Sequence, residues 1–218
     1  MHGGASIASL LGEIAGIGRD ARCGGYSRHG FQRPELELRE WFVATAGGRG
    51  MDVECDRNGN LWAWWGRPGP DAVVTGSHLD SVPGGGAFDG PLGVITALVA
   101  VDALRAGGFS PSKPVAVAVF AEEEGGRVGV PCLGSRLLAG ATSAADALRL
   151  TDPNGTTLAE ALSAVAWRRS GSAGMTRHCA GSAVSSSCTS SRVGDWSAWT
   201  ARSDWPAPSW RTGAGASP

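Results

Sequence analysis

Apolar positions recur at helical spacing between residues 6 and 15, where Ile7, Leu10, Leu11 and Ile14 fall on one side. A second helix is predicted from Pro34 through ELELREWFVATAGG. Proline suits its first turn, and Gly47 and Gly48 mark its end. The period then changes to two. MDVECDRNGNLWAWW reads as a β-hairpin around Asn58-Gly59, a pair that tolerates the positive φ of a tight turn. Residues 72–75 (AVVT) form a short buried strand that opens into the loop GSHLDSVPGGGAFDG. PLGVITALVAVDALRAGG is again helical, with Pro91 in the first turn and Gly107-Gly108 past the end. Residues 115–120 (VAVAVF) are a second apolar strand, followed by Glu122, Glu123 and Glu124. Further helices are predicted over 133–139 and 158–165, the latter opened by the capping box Thr157-Leu-Ala-Glu160.

Strand, helix and apolar strand in succession define a βαβ unit with parallel strands and a right-handed crossover. That geometry puts His78 and Asp89 beyond the carboxyl end of one strand and the three glutamates beyond the same end of the other. Ligands of open α/β sheets bind at that edge.

Composition changes the picture late in the chain. Residues 166–218 contain no Leu, Ile or Phe, but twelve Ser, five of the nine Trp, six Arg and only two acids, Asp195 and Asp204. So few aliphatic residues cannot bury enough surface to offset the entropy of ordering. Two regions are therefore expected: 1–165, an α/β unit, and 166–218, a disordered Ser/Trp-rich tail. The 218 residues carry a formal net charge of −1, which favours neither nucleic acid nor an anionic membrane. No run of 18 apolar residues would span a bilayer. The N-terminal stretch lacks a basic flank and is interrupted by Glu13, so it reads as a surface helix and not a signal peptide. The five scattered cysteines make no C-x-x-C and fit a reducing, cytoplasmic setting.

The rim chemistry is that of a metal site. Neutral His nitrogen and carboxylate oxygen are the usual ligands of a catalytic zinc-type ion. An Asp can bridge two ions about 3.5–4 Å apart. A neighbouring Glu can take a proton from the activated water. Asp80, two residues past His78, is placed to orient the imidazole. Each signal has a plainer reading alone: H-x-D is common, an acidic run is usually a solvated face, and Asp89 could cap the following helix. Their conjunction after two strands of one βαβ unit favours the metal.

GSHLDSVPGGGAFDGPLGV and VFAEEEGGRVGVPCLGSRLLAG, with DRNGNLWAWWG upstream, resemble the M20-related amidohydrolases, most of all the allantoate amidohydrolases and N-carbamoyl-L-amino-acid hydrolases. The resemblance covers roughly residues 13–165. It implies an incomplete M20-like zinc-hydrolase catalytic domain, α/β, with βαβ units and a mixed sheet flanked by helices. It also implies two divalent ions (zinc or manganese), with His78 on one, Asp89 bridging both and Glu124 on the second. Glu123 would be the general base and Arg127 a substrate contact, although Val128 stands where the family usually has an aromatic residue. The implied reaction is hydrolysis of a ureido C–N bond in a small molecule, releasing ammonia and carbon dioxide. An M20-type peptidase or deacylase would share the site. A non-catalytic binding module with a functional Trp-rich tail is the reading from another class.

The resemblance also implies ligands that the chain does not show: the His of an ELHVEQG-type motif, and a His near the end of a chain about twice as long. The family's dimerisation domain, and with it the family homodimer, is missing as well. His178 has no supporting motif, and His2 and His29 read as surface residues. Residues 186–192 (SSCTSSR), written in GC-rich codons and read from the third base, become Glu-Leu-His-Val-Glu-Gln. The tail therefore reads as an out-of-frame product of a one- or two-base shift near codons 164–167, leaving a truncated and inactive enzyme. Resequencing the gene from codon 150 past the stop is expected to restore the ELHVEQG frame. An uninterrupted gene with no such hidden frame would overturn this.

Overall fold

The computed structural model describes residues 5–170, with side chains to 164. Four strands form one mixed sheet in the order β1-β2-β4-β3: β1 (Asp52–Cys55), β2 (Leu61–Trp65), β3 (Val73–His78) and β4 (Val115–Phe120). The hairpin β1–β2 is antiparallel, as its turn chemistry predicts, and β2 continues antiparallel onto β4. β3 and β4 are parallel, as the βαβ reading requires, and α3 (Pro91–Ala106) crosses between them. Their register runs from Val73 opposite Val115 to His78 opposite Phe120.

The helices α1 (Ile7–Ile14), α2 (Arg33–Gly47) and α3 pack on one face of the sheet. Leu10, Ile14, Leu38, Phe42, Ile95 and Leu98 meet Leu61, Ala63, Val117 and Val119 there. β2 is buried on both faces, since Trp62 and Trp64 turn to the other side, stack on each other with ring centroids 6.1 Å apart and pack with Ala116 and Ala118. Each indole keeps a polar partner: Trp62 Nε1 donates to Asp56 and Trp64 Nε1 to Glu54. An aromatic ring with its N–H satisfied buries its area without a polar penalty.

A smaller cluster of Phe31, Ala121, Val128, Leu133, Ala147 and Leu158 lies under the loop after β4. It gathers α4 (Leu133–Leu138), α5 (Ala144–Leu148) and α6 (Leu158–Ser170). α5 was not expected, being only five residues long, although Ser143 caps it by accepting from the Asp146 amide. The capping box of α6 forms as read, with Thr157 and Glu160 exchanging hydrogen bonds. β3 runs three residues past its expected end, so His78 is the last strand residue and not a loop residue. α6 runs to Ser170, five residues beyond its expected end and into the stretch read as tail; residues 171–218, His2 and His178 lie outside the described residues.

Asn60 connects the hairpin to the site. It is fully buried; its Nδ2 donates to Asp56 and to the Gly134 carbonyl, and its Oδ1 accepts from the Ala121 amide at 3.0 Å. Gly134 must be glycine here, because a Cβ would lie 2.1 Å from Asn60 Oδ1. Asn60→Ala orphans buried groups at both ends, which costs on the order of 2–4 kcal/mol. Urea denaturation should show the midpoint falling with the m-value unchanged. An unchanged midpoint would remove Asn60 from this role.

Candidate metal centre

The parallel register brings the end of β3 beside the end of β4, and the candidate ligands gather there. One ligand atom each from His78, Asp89 and Glu124 lies within 4.8 Å of the others, and this is the single such group among the described residues. His78 is buried and Asp89 is 70% exposed, so the site opens to solvent on the Asp89 side. His78 Nε2 lies 3.8 Å from Asp89 Oδ1 and 3.5 Å from Glu123 Oε2. Its Nδ1 lies 2.9 Å from the main-chain carbonyl of Asp80. A carbonyl oxygen only accepts, so Nδ1 carries a proton, and in the neutral imidazole that leaves the Nε2 lone pair facing the carboxylates, the tautomer a metal ligand needs. Gly90 permits this: its φ is 86°, and a Cβ would lie 2.7 Å from the imidazole.

Asp80 meets the imidazole through its main-chain carbonyl and not its carboxylate. The carboxylate stands 3.7 Å from Nδ1. It instead accepts from the main-chain amides of Glu123 at 3.2 Å and Glu124 at 3.0 Å. One residue therefore fixes both the histidine and the acidic run. Asp89 does not cap α3, whose N-cap is Gly90 with no side-chain hydrogen bond. Nor does the acidic run open a helix: a loop follows it to Pro131.

Glu122 had no role in the sequence reading. Its φ is 50°, and its side chain is 1% exposed and turned away from the other two glutamates. Oε1 accepts from the amides of Arg127 at 2.7 Å and Val128 at 2.9 Å, which folds the loop back under the site. Nothing in a run of three like residues marks the first as the buried one. Arg127 is partly buried: it donates to the Gly30 carbonyl at 3.0 Å and pairs with Asp152 at 3.4 Å. His29 is half-buried and not a surface residue; its Nδ1 is enclosed without a partner near Gly126.

Beneath the site, Glu35, Asp80 and Glu122 are all about 1% exposed, with Arg39 on Glu35 as counter-charge. Burial raises the carboxyl pKa of each; Arg39 partly offsets this for Glu35, the Glu124 amide for Asp80 and the Val128 amide for Glu122. The three also raise one another by mutual repulsion. A cation at the rim would relieve an excess of buried negative charge, so the donor set and its surroundings fit a divalent ion.

The chain belongs to the family described as Peptidase family M28, whose sequence profile matches residues 60–184. Its relatives include both names that the motifs suggested and one, ureidoglycolate hydrolase, that they did not. It is 42% identical over 108 residues to ureidoglycolate hydrolase of Arabidopsis thaliana, covering 49% of this chain and 23% of that one. It is 36% identical over 161 residues to the N-carbamoyl-L-amino acid amidohydrolase of Geobacillus stearothermophilus, covering 73% and 39%. With the allantoate amidohydrolase of Escherichia coli K12 it shares 31% over 161 residues, again covering 73% and 39%. A solved hydantoinase/carbamoylase family amidase from Burkholderia ambifaria superposes with a TM-score of 0.68 at 35% identity, over 82% of this chain and 44% of that one. The chain thus spans well under half the length of these relatives. No helix among the described residues is long and apolar enough to cross a membrane.

The buried carboxyls set a pH dependence for the metal-free protein. A carboxyl whose pKa is higher when folded contributes stability fully below its unfolded pKa, and loses it as pH rises through the folded value. Asp20, Asp152 and Glu160 are shifted down, so their contribution is already complete above pH ~5. Above about pH 5 the buried carboxyls dominate, and the melting temperature should fall as pH rises through their raised folded values. Glu122→Gln, which cannot ionise, should flatten part of that decline. A melting temperature that climbs over this window would contradict the assignment.

Proposed function

We propose that this chain carries the first part of the active centre of a metal-dependent hydrolase acting on non-peptide C–N bonds of linear ureido compounds, such as allantoate or an N-carbamoyl-L-amino acid. The observation that carries this reading is the convergence of the His78 Nε2 lone pair with Asp89 and Glu124, and of Glu123 beside them. His78, Asp89 and Glu124 would hold the cation. Three protein ligands are the usual complement of one catalytic ion, so within this chain the geometry favours one zinc or manganese ion over two. When bound, the ion supplies Lewis-acid polarisation and a more acidic water. Glu123, 35% exposed and beside the imidazole, is the general base that takes the proton of the attacking water and returns it to the leaving nitrogen. Asp80 keeps His78 in the ligating tautomer and holds the Glu123 and Glu124 main chain against it. Arg127, tied to Gly30 and Asp152, supports the loop that presents Glu123; its Nε is buried without a partner, so the part it plays is positioning and not direct substrate contact.

The family's description as a peptidase supports a second reading, hydrolysis of an ordinary peptide or acyl amide at the same centre. Substrate profiling of a frame-restored protein separates the two: ammonia release from ureido compounds favours the first, and cleavage of acyl amides the second.

The His of the ELHVEQG-type motif is proposed to belong to sequence that the shifted 166–218 frame obscures. This chain is therefore expected to bind about one divalent ion per molecule and to turn over ureido substrates negligibly. Elemental mass spectrometry after zinc or manganese loading, paired with an ammonia-release assay on allantoate, reads both quantities. His78→Ala and Glu124→Gln should each abolish the bound ion. Robust turnover by this polypeptide, or metal retained by both variants, would overturn the proposal.

A further inference from the structure

A cavity of about 200 Å³ lies between α1 and the loop that carries Asp89. Leu11, Ile14 and Ala15 form one wall, and Ala87 and the exposed Phe88 form the other. The cationic group that lines it is Arg28, which is 1% exposed. Arg28 lies 4.0 Å above the Tyr26 ring. Its Nε donates to the Ile17 carbonyl at 2.9 Å and its Nη2 to the Ile14 carbonyl at 3.1 Å.

Among the described residues no carboxylate pairs with Arg28. The buried Arg39 has Glu35, and the partly buried Arg127 has Asp152. The carbonyls at the end of a helix offer only about half a negative charge. A buried cation is ordinarily paired, because an unpaired one is costly. Burial accordingly pulls the Arg28 pKa down, with no carboxylate acting against it. Two carbonyls also leave Nη1 without an acceptor, and a guanidinium fork accepts a carboxylate edge well.

We propose that this cavity binds a small monocarboxylate with an apolar body, its carboxylate on the Arg28 guanidinium and its hydrocarbon between α1 and Phe88. The apolar walls exclude a highly charged ligand such as a nucleotide, and the volume excludes a long acyl chain. Phe88 directly precedes Asp89, so an occupant would order the loop that carries a metal-site residue. The proposal does not depend on the metal reading.

The test uses the full chain in excess chelator, so that no ion at His78 can contribute. Binding of 4-methylpentanoate and of its uncharged amide is followed by ligand-observed NMR and by the shift in melting temperature. Saturable binding of the carboxylate, with the amide at least about tenfold weaker, is expected. Gly12 also lines the cavity, and a Cβ there meets open space, so Gly12→Phe is chosen to fill the site while leaving the Arg28 side chain unaltered. That variant should keep its fold by circular dichroism and lose the binding. Arg28→Met should lose the preference for carboxylate over amide; if it fails to fold, Gly12→Phe still decides the matter. Equal binding of acid and amide, binding that survives Gly12→Phe, or no saturation by about 10 mM ligand would each overturn the proposal.

Discussion

The parallel pairing of β3 with β4 is the constraint on which the rest depends. It places His78 opposite Phe120, so the histidine and the acidic run leave the sheet side by side at one edge. A slip of one residue would turn every side chain of β3 to the other face. The register is protected from both sides. α3 packs its apolar face over β3 and β4, and β2 clamps the far edge of β4 with residues buried on both faces. Asn60 then joins the hairpin to the first residue after β4. The site is thus built on strand ends and not on a free loop, which is how a sheet can hold ligand atoms within a few ångströms.

The interior beneath the site carries more negative than positive charge. Glu35, Asp80 and Glu122 are each held by main-chain amides or by Arg39, yet each sits above its ordinary pKa. Their hydrogen bonds fix geometry: Asp80 sets the spacing between imidazole and glutamates, and Glu122 folds the loop to Val128. The same carboxyls repel one another without a nearby cation. This arrangement is costly as a purely structural core and consistent with a core that works with an ion above it.

The chain's relation to its relatives is partial. It matches amidohydrolases and a peptidase-family profile over the region that carries the βαβ unit, and it spans well under half of the relatives' length. In its sheet β3 is an edge strand, with Val73 and Thr75 exposed. A parallel strand is usually covered on both sides. An uncharged edge of this kind readily associates with other chains.

By itself the sequence determined the helices, the hairpin and the βαβ crossover, because each is written in a local apolar period with its own stop signals. It also determined which side chains would meet at the rim, since topology carries residues after parallel strands to one edge whatever the details. Only the tertiary structure decided how each group is used. Asp80 acts through two different groups at once, and Glu122 is buried while its two neighbours face the site. Arg127 is tied into the protein, Arg28 is left without a carboxylate, and five residues form α5. These outcomes rest on contacts between distant residues, such as Asn60 with Ala121 or Asp80 with Glu124. No local pattern records which buried polar group will find which partner, because that depends on packing and desolvation across the whole core.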